Sequence, residues 1–151
     1  MEESLVFKSA KIKEVFMKKF LVGLVVSCFL FIAVSAQAGH FGDLIMKIGE
    51  ARNALLVMEK YSDKRGADQQ KLVKDTADAV SAMLAKMKAP EGKEVKFKEL
   101  VDTWNAFKKT RESQVVPSII SGKKDDAYKV VHGMQQERLD TMYVLCDELD
   151  K

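Results

Sequence analysis

Two arginines are the side chains of this 151-residue sequence best suited to binding chemistry. Arg111 follows Trp104 and Phe107, and Arg138 follows Met134, at the three- and four-residue steps of predicted apolar helix stripes. A guanidinium group in such a position needs partners, and its planar donors match a carboxylate. The spacing therefore leaves two interpretations open: ion pairs within the protein, or a pocket or dimer seam that binds a small carboxylate.

A predicted turn, with Gly122 in the left-handed conformation and Asp125 as the cap of the next helix, sets the relative positions of the two arginines. Arg111 lies eleven residues before Gly122 and Arg138 sixteen residues after it, a difference of about 7 Å in helix rise. We therefore expect the two side chains to face each other across a helical hairpin and to form the polar part of any ligand site. We expect Trp104 to anchor the core first and to form a wall of that site second. The candidate acidic partners for internal ion pairs are Asp75, Glu112, Glu137 and Asp140.

No motif of a catalytic or metal-dependent class is present in the sequence. It lacks Cys-x-x-Cys-His, the phosphate-binding pattern Gly-x-x-x-x-Gly-Lys and the nucleophile pattern Gly-x-Ser-x-Gly. Neither His40 nor His132 has a glutamate three residues before it, as a di-iron carboxylate bundle requires. We therefore expect a protein that is not an enzyme and has no metal or other cofactor.

Non-covalent haem b is the alternative cofactor, because helical bundles can hold its iron between methionine and histidine. Met46 and His132 fall at opposite ends of an up-down bundle, about 20 Å apart along the helix axis. His40 and Met142 fall at the same end, but His40 lies beside a predicted new N-terminus, where chains usually fray. A haem-binding electron carrier therefore stays open only as an alternative class.

Residues 18–38 have the order of a secretory signal peptide. A lysine pair precedes an uninterrupted apolar run, and Ala36 and Ala38 form the small-x-small ending of a cleavage site. We expect cleavage before Gly39, initiation at Met17, and a periplasmic or secreted domain over residues 39–151. Export is the expectation in either of the two cases below.

Two other fates of this segment stay open. Its apolar run is nearly long enough, at about 20 residues, to remain as a membrane anchor. The residues Val25-Val26-Ser27-Cys28 also resemble a lipoprotein processing site. The protein would contact a membrane only if the segment were uncleaved or lipidated.

The charge of the predicted mature part argues against a polyanionic partner. Five of the 25 basic and three of the 22 acidic side chains lie in residues 1–38, which leaves 20 basic and 19 acidic ones. Lys108-Lys109 and Lys123-Lys124 are then solvated surface, and we expect no nucleic acid partner. Cys146 alone remains as a thiol, so helix packing must stabilise the fold.

The hydrophobic periodicity predicts an all-α protein. Four amphipathic ranges are expected to be helical: 40–61, 69–88, 94–116 with a kinked extension through Pro117, and 125–150. The stripe of the first helix is expected to include Leu44, Ile48 and Leu55. That of the second is expected to include Leu72, and that of the fourth Tyr128 and Met134. Similar lengths and short connections favour an up-down-up-down antiparallel four-helix bundle, preceded by a signal helix. The alternative is a dimer of helical hairpins.

The third helix and the turn after it resemble a known family. The pattern consists of Trp104-x-x-Phe107-x-x-x-Arg111 followed by Val116-Pro117-x-Ile119-Ile120-x-Gly122-Lys123-Lys124-Asp125-Asp126-Ala127. It resembles the periplasmic four-helix-bundle sensor domain of methyl-accepting chemotaxis receptors over residues 40–150. The resemblance implies extracytoplasmic detection of small molecules, a homodimer with a ligand site between subunits, and no enzymatic activity. Some members of that family hold ligand carboxylates with arginine.

The sequence departs from the receptor pattern at its C-terminus. It ends at Lys151, directly after the fourth predicted helix, without a second membrane span or a methylation helix. We therefore expect a stand-alone module that binds a small ligand, a partner receptor or another copy of itself. A structural or stress-related protein that acts through protein partners is the third class left open.

Overall fold

A computed structural model describes residues 40–151 of the chain. The predicted signal peptide, its cleavage site at Ala36, Ala38 and Gly39, and the predicted start at Met17 lie outside the described residues. Residues 40–151 belong to one compact unit. Within the described part, no helix combines the length and the apolar character that crossing a membrane requires.

The described residues are helical apart from short connections, which confirms the all-α prediction. The elements in chain order are α1 (His40–Lys60), a 3-10 turn (Ser62–Lys64), α2 (Ala67–Leu84), α3 (Glu94–Thr110), a π-helical turn (Arg111–Val115), α4 (Val116–Ile120), α5 (Lys124–His132) and α6 (Met134–Asp150). The π-helical turn joins α3 to α4, and a single residue separates α5 from α6. The unit therefore has four helical segments: α1, α2, α3 with α4, and α5 with α6.

Pro117 explains the π-helical turn in the third segment. Its ring would clash with the carbonyl group of Ser113 in a regular α-helix, and it has no N–H to donate. The turn over Arg111–Val115 is wider, and the Val116 N–H donates to the carbonyl oxygen of Arg111, five residues back. The segment therefore continues to Ile120, as the sequence predicts, and Arg111 opens the widened turn.

Gly122 ends the third segment in the left-handed conformation that the sequence predicts, with φ of 76°. The N–H of Lys123 donates to Ser118 O at 2.9 Å and that of Gly122 donates to Ile119 O at 3.2 Å. This is the Schellman pairing of a helix C-terminus. The predicted cap at Asp125 is wrong, because α5 begins at Lys124 and places Asp125 in its first turn without a side-chain cap. The carboxylate still favours that end of the helix dipole.

The fourth segment is broken at Gly133, where the sequence predicts one continuous helix from 125 to 150. Gly133 has φ of −104° and ψ of −108°. A Cβ atom added there would lie 2.8 Å from the carbonyl oxygen of Lys129. The backbone can take this path only because residue 133 has no side chain. Tyr128 and Met134 are exposed, so the prediction that they belong to the buried stripe is wrong; the buried positions are those one residue away, Ala127 and Gln135.

Hydrogen bonds between side chains and neighbouring helices fix how the segments lie against each other. Trp104 Nε1 donates to Ser81 Oγ at 3.0 Å, and Arg111, seven residues further on, donates to the carbonyl of Val73, which precedes Ser81. Residue numbers thus fall along α2 as they rise along the third segment. Lys93 Nζ, just before α3, donates to Glu148 O near the end of α6 at 2.9 Å.

The first helix makes the same kind of contact with both of its neighbours. Gln69 Nε2 in α2 donates to the carbonyl oxygen of Ala54 at 2.7 Å. The Arg52 guanidinium donates to Gln136 Oε1 in α6. These contacts place α1 between α2 and the fourth segment, so that α1 covers the core between them.

The buried apolar residues form two clusters, one toward each end of the unit. The larger cluster contains Trp104 among residues of all four segments. The smaller cluster contains Ala54, Leu55, Met58, Val73, Val115, Ile119, Ala127 and Val131. The buried polar residues of the described chain are Thr110, Arg111 and Gln135, and they stand where one cluster ends and the other begins. A polar layer therefore divides the core.

Candidate functional site

Arg111 lies in the polar layer and is 1% exposed. Its Nη2 donates to the carbonyl oxygen of Val73, whereas its Nη1 is buried without a hydrogen-bond acceptor. Among the described residues, no carboxylate lies within ion-pair distance of this guanidinium group. Burial lowers the pKa of Arg111 to about 10, and the negative charges of Glu112 and Asp78 oppose that shift. Arg111 is thus an enclosed cation at neutral pH.

Gln135 is the second buried polar side chain of this layer. Its Nε2 donates to Phe107 O at 2.9 Å, and its Oε1 is buried without a donor. One helix turn separates Phe107 from Arg111 on the third segment. The layer therefore has one unused donor and one unused acceptor, and each costs stability unless a buried water pairs with it.

Arg138 lies at the surface between α3 and α6 rather than in the core. Its Nη1 donates to Ala106 O at 3.1 Å and to Thr110 Oγ1 at 2.7 Å. It borders an open groove of about 530 Å³, together with Asp102 and Thr141. The guanidinium group is held by two acceptors of α3, and part of it stays accessible from the groove.

The two arginines approach the third segment from different sides. Arg111 extends toward α2 through Val73, whereas Arg138 extends from α6 toward Thr110, the residue next to Arg111. They share no acceptor in the described structure. Neither forms an ion pair with the acidic residues named from the sequence within residues 41–151. Their joint binding of one anion remains a prediction.

Trp104 is fully buried, which confirms its predicted place in the core. Its ring stacks on that of Phe107 with centroids 5.6 Å apart, and its Nε1 donates to Ser81 Oγ. Lys108 Nζ also reaches Ser81 Oγ at 3.4 Å and pairs with Asp78 at 2.5 Å. The contact between α2 and α3 is therefore polar along its outer edge, and Trp104 fills the space behind it.

The residues considered as haem ligands lie in different environments. Met46 is 61% exposed, whereas Met142 is fully buried in the larger cluster. His132 pairs with Glu59, which stands thirteen residues beyond Met46 on α1, or about 20 Å at helical rise. Met46 and His132 therefore could not bind one iron. Across residues 40–151, no group of three or more His, Cys, Asp or Glu side chains is placed to hold a metal ion.

A cleft of about 470 Å³ opens where α1 ends and α5 begins. This volume lies in the usual range of small-molecule sites. Its apolar wall consists of Leu56, Ile119, Ala127 and Tyr128. Tyr128 is 58% exposed and lies against the His132 ring, with centroids 4.2 Å apart. The wall thus combines buried aliphatic groups with one accessible aromatic face.

Glu59 and His132 join the two sides of this cleft. His132 Nε2 lies 3.3 Å from Glu59 Oε1, which makes an ion pair when the imidazole is protonated. The Glu59 side chain is 15% exposed and that of His132 is 39% exposed. The pair connects the last turn of α1 with the last turn of α5, so it spans the cleft from one helix to the other.

The basic side chains of the cleft differ in how they are engaged. Arg65 donates from Nε to Met58 O at 3.2 Å and from Nη2 to Glu59 O at 3.1 Å, so it binds the carbonyl end of α1. Lys60 and Lys124 have no carboxylate within ion-pair distance among the residues that the structure describes. Three basic side chains thus face two acidic ones, Glu59 and Asp125.

Sequence reasoning did not find this cleft. Its residues come from the end of α1, the loop after it, α4 and α5, which are up to 76 positions apart in sequence. Tyr128 was assigned to the core because the predicted stripe was one residue out of phase, with Tyr128 in place of Ala127. For the helix break beside the cleft a signal existed in the lone glycine within a predicted helix, which is a known marker of a local break.

Comparison of the chain with family models, curated proteins and solved structures finds no match. The resemblance to chemoreceptor sensor domains therefore remains a prediction, based on the residues from Trp104 to Ala127.

Proposed function

We propose that this chain is an exported, non-enzymatic binding module that takes a small carboxylate in the cleft between α1 and α5. The observation that carries the proposal is the cleft itself, with an apolar wall, an accessible tyrosine ring and two lysines without acidic partners among the described residues. Sites of this size usually combine an apolar lining with a few placed polar groups. The ligand class follows from the excess of basic side chains.

In this proposal Lys60 and Lys124 bind the carboxylate of the ligand, and its apolar body lies on Ile119 and Tyr128. Arg65 adds positive potential but keeps its donors on the carbonyl end of α1. Glu59 and His132 then contact the far side of the ligand, where a hydrogen-bonding group would be favoured over a second carboxylate. A monocarboxylate with a small apolar or aromatic body fits best.

The overall architecture that we propose is an up-down-up-down antiparallel bundle that follows a signal helix. The cross-helix hydrogen bonds of Trp104, Arg111, Lys93 and Gln69 support this order. The order of residues 18–38 supports export to the periplasm or beyond. Intact mass of the protein recovered outside the cytoplasm tests this, with Gly39 as the expected first residue and retention of residues 18–38 as the contrary result.

Thermal denaturation in the presence of sodium acetate, isobutyrate and benzoate tests the binding function, with sodium chloride at equal ionic strength as the reference. A ligand at ten times its Kd should raise the Tm by about 4 °C or more. Lys124→Gln should reduce that rise severalfold. Lys123→Gln is the matched control, because Lys123 is the neighbouring exposed lysine and does not line the cleft.

The arginine site predicted from the sequence makes a separate expectation in the same assay. If Arg138 binds the carboxylate, Arg138→Lys removes the Tm rise and Lys124→Gln leaves it intact, because lysine keeps the charge but loses the planar fork. The cleft proposal requires the opposite pattern. If no carboxylate raises the Tm, the proposed ligand binding is contradicted. The remaining interpretation is then a protein that acts through protein partners.

A further inference from the structure

The nine-residue helix α5 is bounded by a glycine on each side. Gly122 precedes it in the left-handed conformation, with φ of 76°. Gly133 follows it in a conformation where an added Cβ would meet the Lys129 carbonyl oxygen at 2.8 Å. Neither end of α5 has a side-chain cap. A glycine, the residue with the greatest backbone freedom, therefore stands directly before Lys123, the N-cap residue of α5, and another stands directly after α5.

This short helix supplies half of the cleft. Five of the ten residues that line the cleft belong to α5, among them Lys124, Tyr128 and His132. Its fully buried residues are Ala127 and Val131, which pack in the smaller apolar cluster, and Val130 packs against that cluster partly buried. By contrast, α6 buries six residues, chiefly in the larger cluster. The helix that forms the cleft wall is thus held more weakly than its continuation.

The Glu59–His132 pair is the polar connection between α5 and α1. Its two atoms lie 3.3 Å apart, and the Glu59 side chain is largely shielded from water. Shielding strengthens the attraction between the two charges when the imidazole is protonated. Histidine is the side chain whose charge ordinarily changes between pH 5 and 8, and this ion pair requires a protonated imidazole.

We propose that α5 is a hinged wall of the cleft, which pivots at Gly122 and Gly133 and is held closed by the Glu59–His132 ion pair. The inference rests on the proposed function for the identity of the cleft as the ligand site. Closure should be favoured at mildly acidic pH and relaxed at alkaline pH. The charged and titratable groups that face His132 are Glu59 and Lys60 from α1, Arg65 from the following loop, and Lys124, Asp125 and Tyr128 from α5.

Hydrogen exchange followed by mass spectrometry tests this without any ligand. The exchange of residues 124–132 and of residues 134–150 is measured in the full protein at pH 5.5 and 8.0, after correction for the intrinsic rates. The hinge predicts that 124–132 exchanges faster than 134–150, and that its protection falls further at pH 8.0. His132→Gln should speed the exchange of 124–132 at pH 5.5 by about two- to fivefold and abolish its pH dependence.

The matched control is Glu148→Gln, which removes the ion pair between Glu148 and Lys96 at the other end of the unit. It should leave the exchange of 124–132 unchanged. Equal exchange of 124–132 and 134–150 in all variants would overturn the hinge. No ligand is present in this experiment. A negative result would therefore contradict the hinge but not carboxylate binding, and a failure to bind carboxylates would not contradict the hinge.

Discussion

Arg111 donates from Nη2 to the carbonyl oxygen of Val73 on the neighbouring helix, and the same guanidinium has no acidic partner among the described residues. A buried charge without a counter-ion costs stability. The one proton of the Thr76 hydroxyl is shared between Leu72 O at 2.8 Å and Val73 O at 3.2 Å, so the Val73 carbonyl has a second, weaker donor besides Arg111. The contact fixes the position of the arginine more than it stabilises the fold.

Arg111→Met should therefore keep the free energy of unfolding or raise it by up to about 2 kcal/mol, because methionine fills the volume without the charge. Arg111→Ala should lower it by about 2 kcal/mol or more through the cavity it leaves. Urea denaturation of both variants measures the difference. Equal destabilisation by Met and Ala would mean that the charge itself is stabilising.

Trp104→Ala should lower the free energy of unfolding by about 3–5 kcal/mol, because the ring is fully buried. Trp104→Phe keeps much of the ring and loses the hydrogen bond to Ser81, so it should cost less. Chemical denaturation followed by circular dichroism gives both values. A loss below about 1 kcal/mol for the alanine variant would contradict the assigned burial.

Asp78 should make unfolding sensitive to acid. Hydrogen bonds from Lys108 and then Lys74 lower its pKa to about 2. The folded pKa lies below the unfolded value of 3.8, so the stabilisation is present above pH 3.8 and is lost as the pH falls toward 2. Because the side chain is 42% exposed, we expect only about 1 kcal/mol after solvent screening.

Asp78→Asn measures this contribution in urea melts at pH 7 and at pH 2.5. The variant should be less stable than the natural protein at pH 7 and nearly equal to it at pH 2.5. Asp102→Asn is the control, since Asp102 pairs with Lys98 on its own helix at the surface. If the free energies of unfolding of Asp78→Asn and the natural protein differed by the same amount at both pH values, the lowered pKa of Asp78 would not be the source of the acid sensitivity.

Gly133→Ala should cost about 2 kcal/mol, because the added Cβ meets backbone rather than a side chain that could move. Gly42→Ala is the matched control, because Gly42 lies within α1 and has open space around the added Cβ. It should be neutral or stabilising by about 0.5 kcal/mol. Thermal denaturation compares the two, and an equal effect would mean that the break at 133 does not need glycine.

Cys146 should be inert in the folded protein. It is fully buried, and burial raises its pKa to about 12. The thiolate is the reactive species, so alkylation at pH 8 should be slower on the order of a hundredfold than in urea. Peptide mass spectrometry after iodoacetamide treatment reports the modification at this residue. Rapid labelling without urea would place the thiol at the surface.

The sequence predicted the helices well where their periodicity was unambiguous. The stripe of the first helix, including Leu44, Ile48 and Leu55, is buried as expected. The stripe of the second was assigned one residue out of phase, with Leu72 in place of Val73. Apolar residues stand side by side at both ends of α2, so two phases fit the spacing equally well, and only packing against the other helices selects one.

The candidate site was less predictable because it depends on a broken helix and on distant chain segments. Periodicity placed Tyr128 inside because both Tyr128 and Ala127 fit the spacing to Val131, and the larger apolar residue was chosen although Ala127 is the buried one. Gln135 lies four residues after Val131 and four before Leu139 on the same buried face, and it was missed because its side chain is polar. The prediction of Arg111 as a polar position in an apolar stripe was informative, but spacing along one helix could not tell which neighbour its guanidinium would contact.

The division of the core by the polar layer has a consequence for how relatives of this chain could diverge. Both clusters draw on all four segments, and Ile119 and Ala127 of the smaller cluster also line the cleft. Substitutions at Ile119 and Ala127 would therefore change the floor of the cleft while the larger cluster preserves the helical scaffold. We expect natural variants to tolerate diversity at the cleft end and to resist it around Trp104, which would let one scaffold acquire new ligand preferences by small steps.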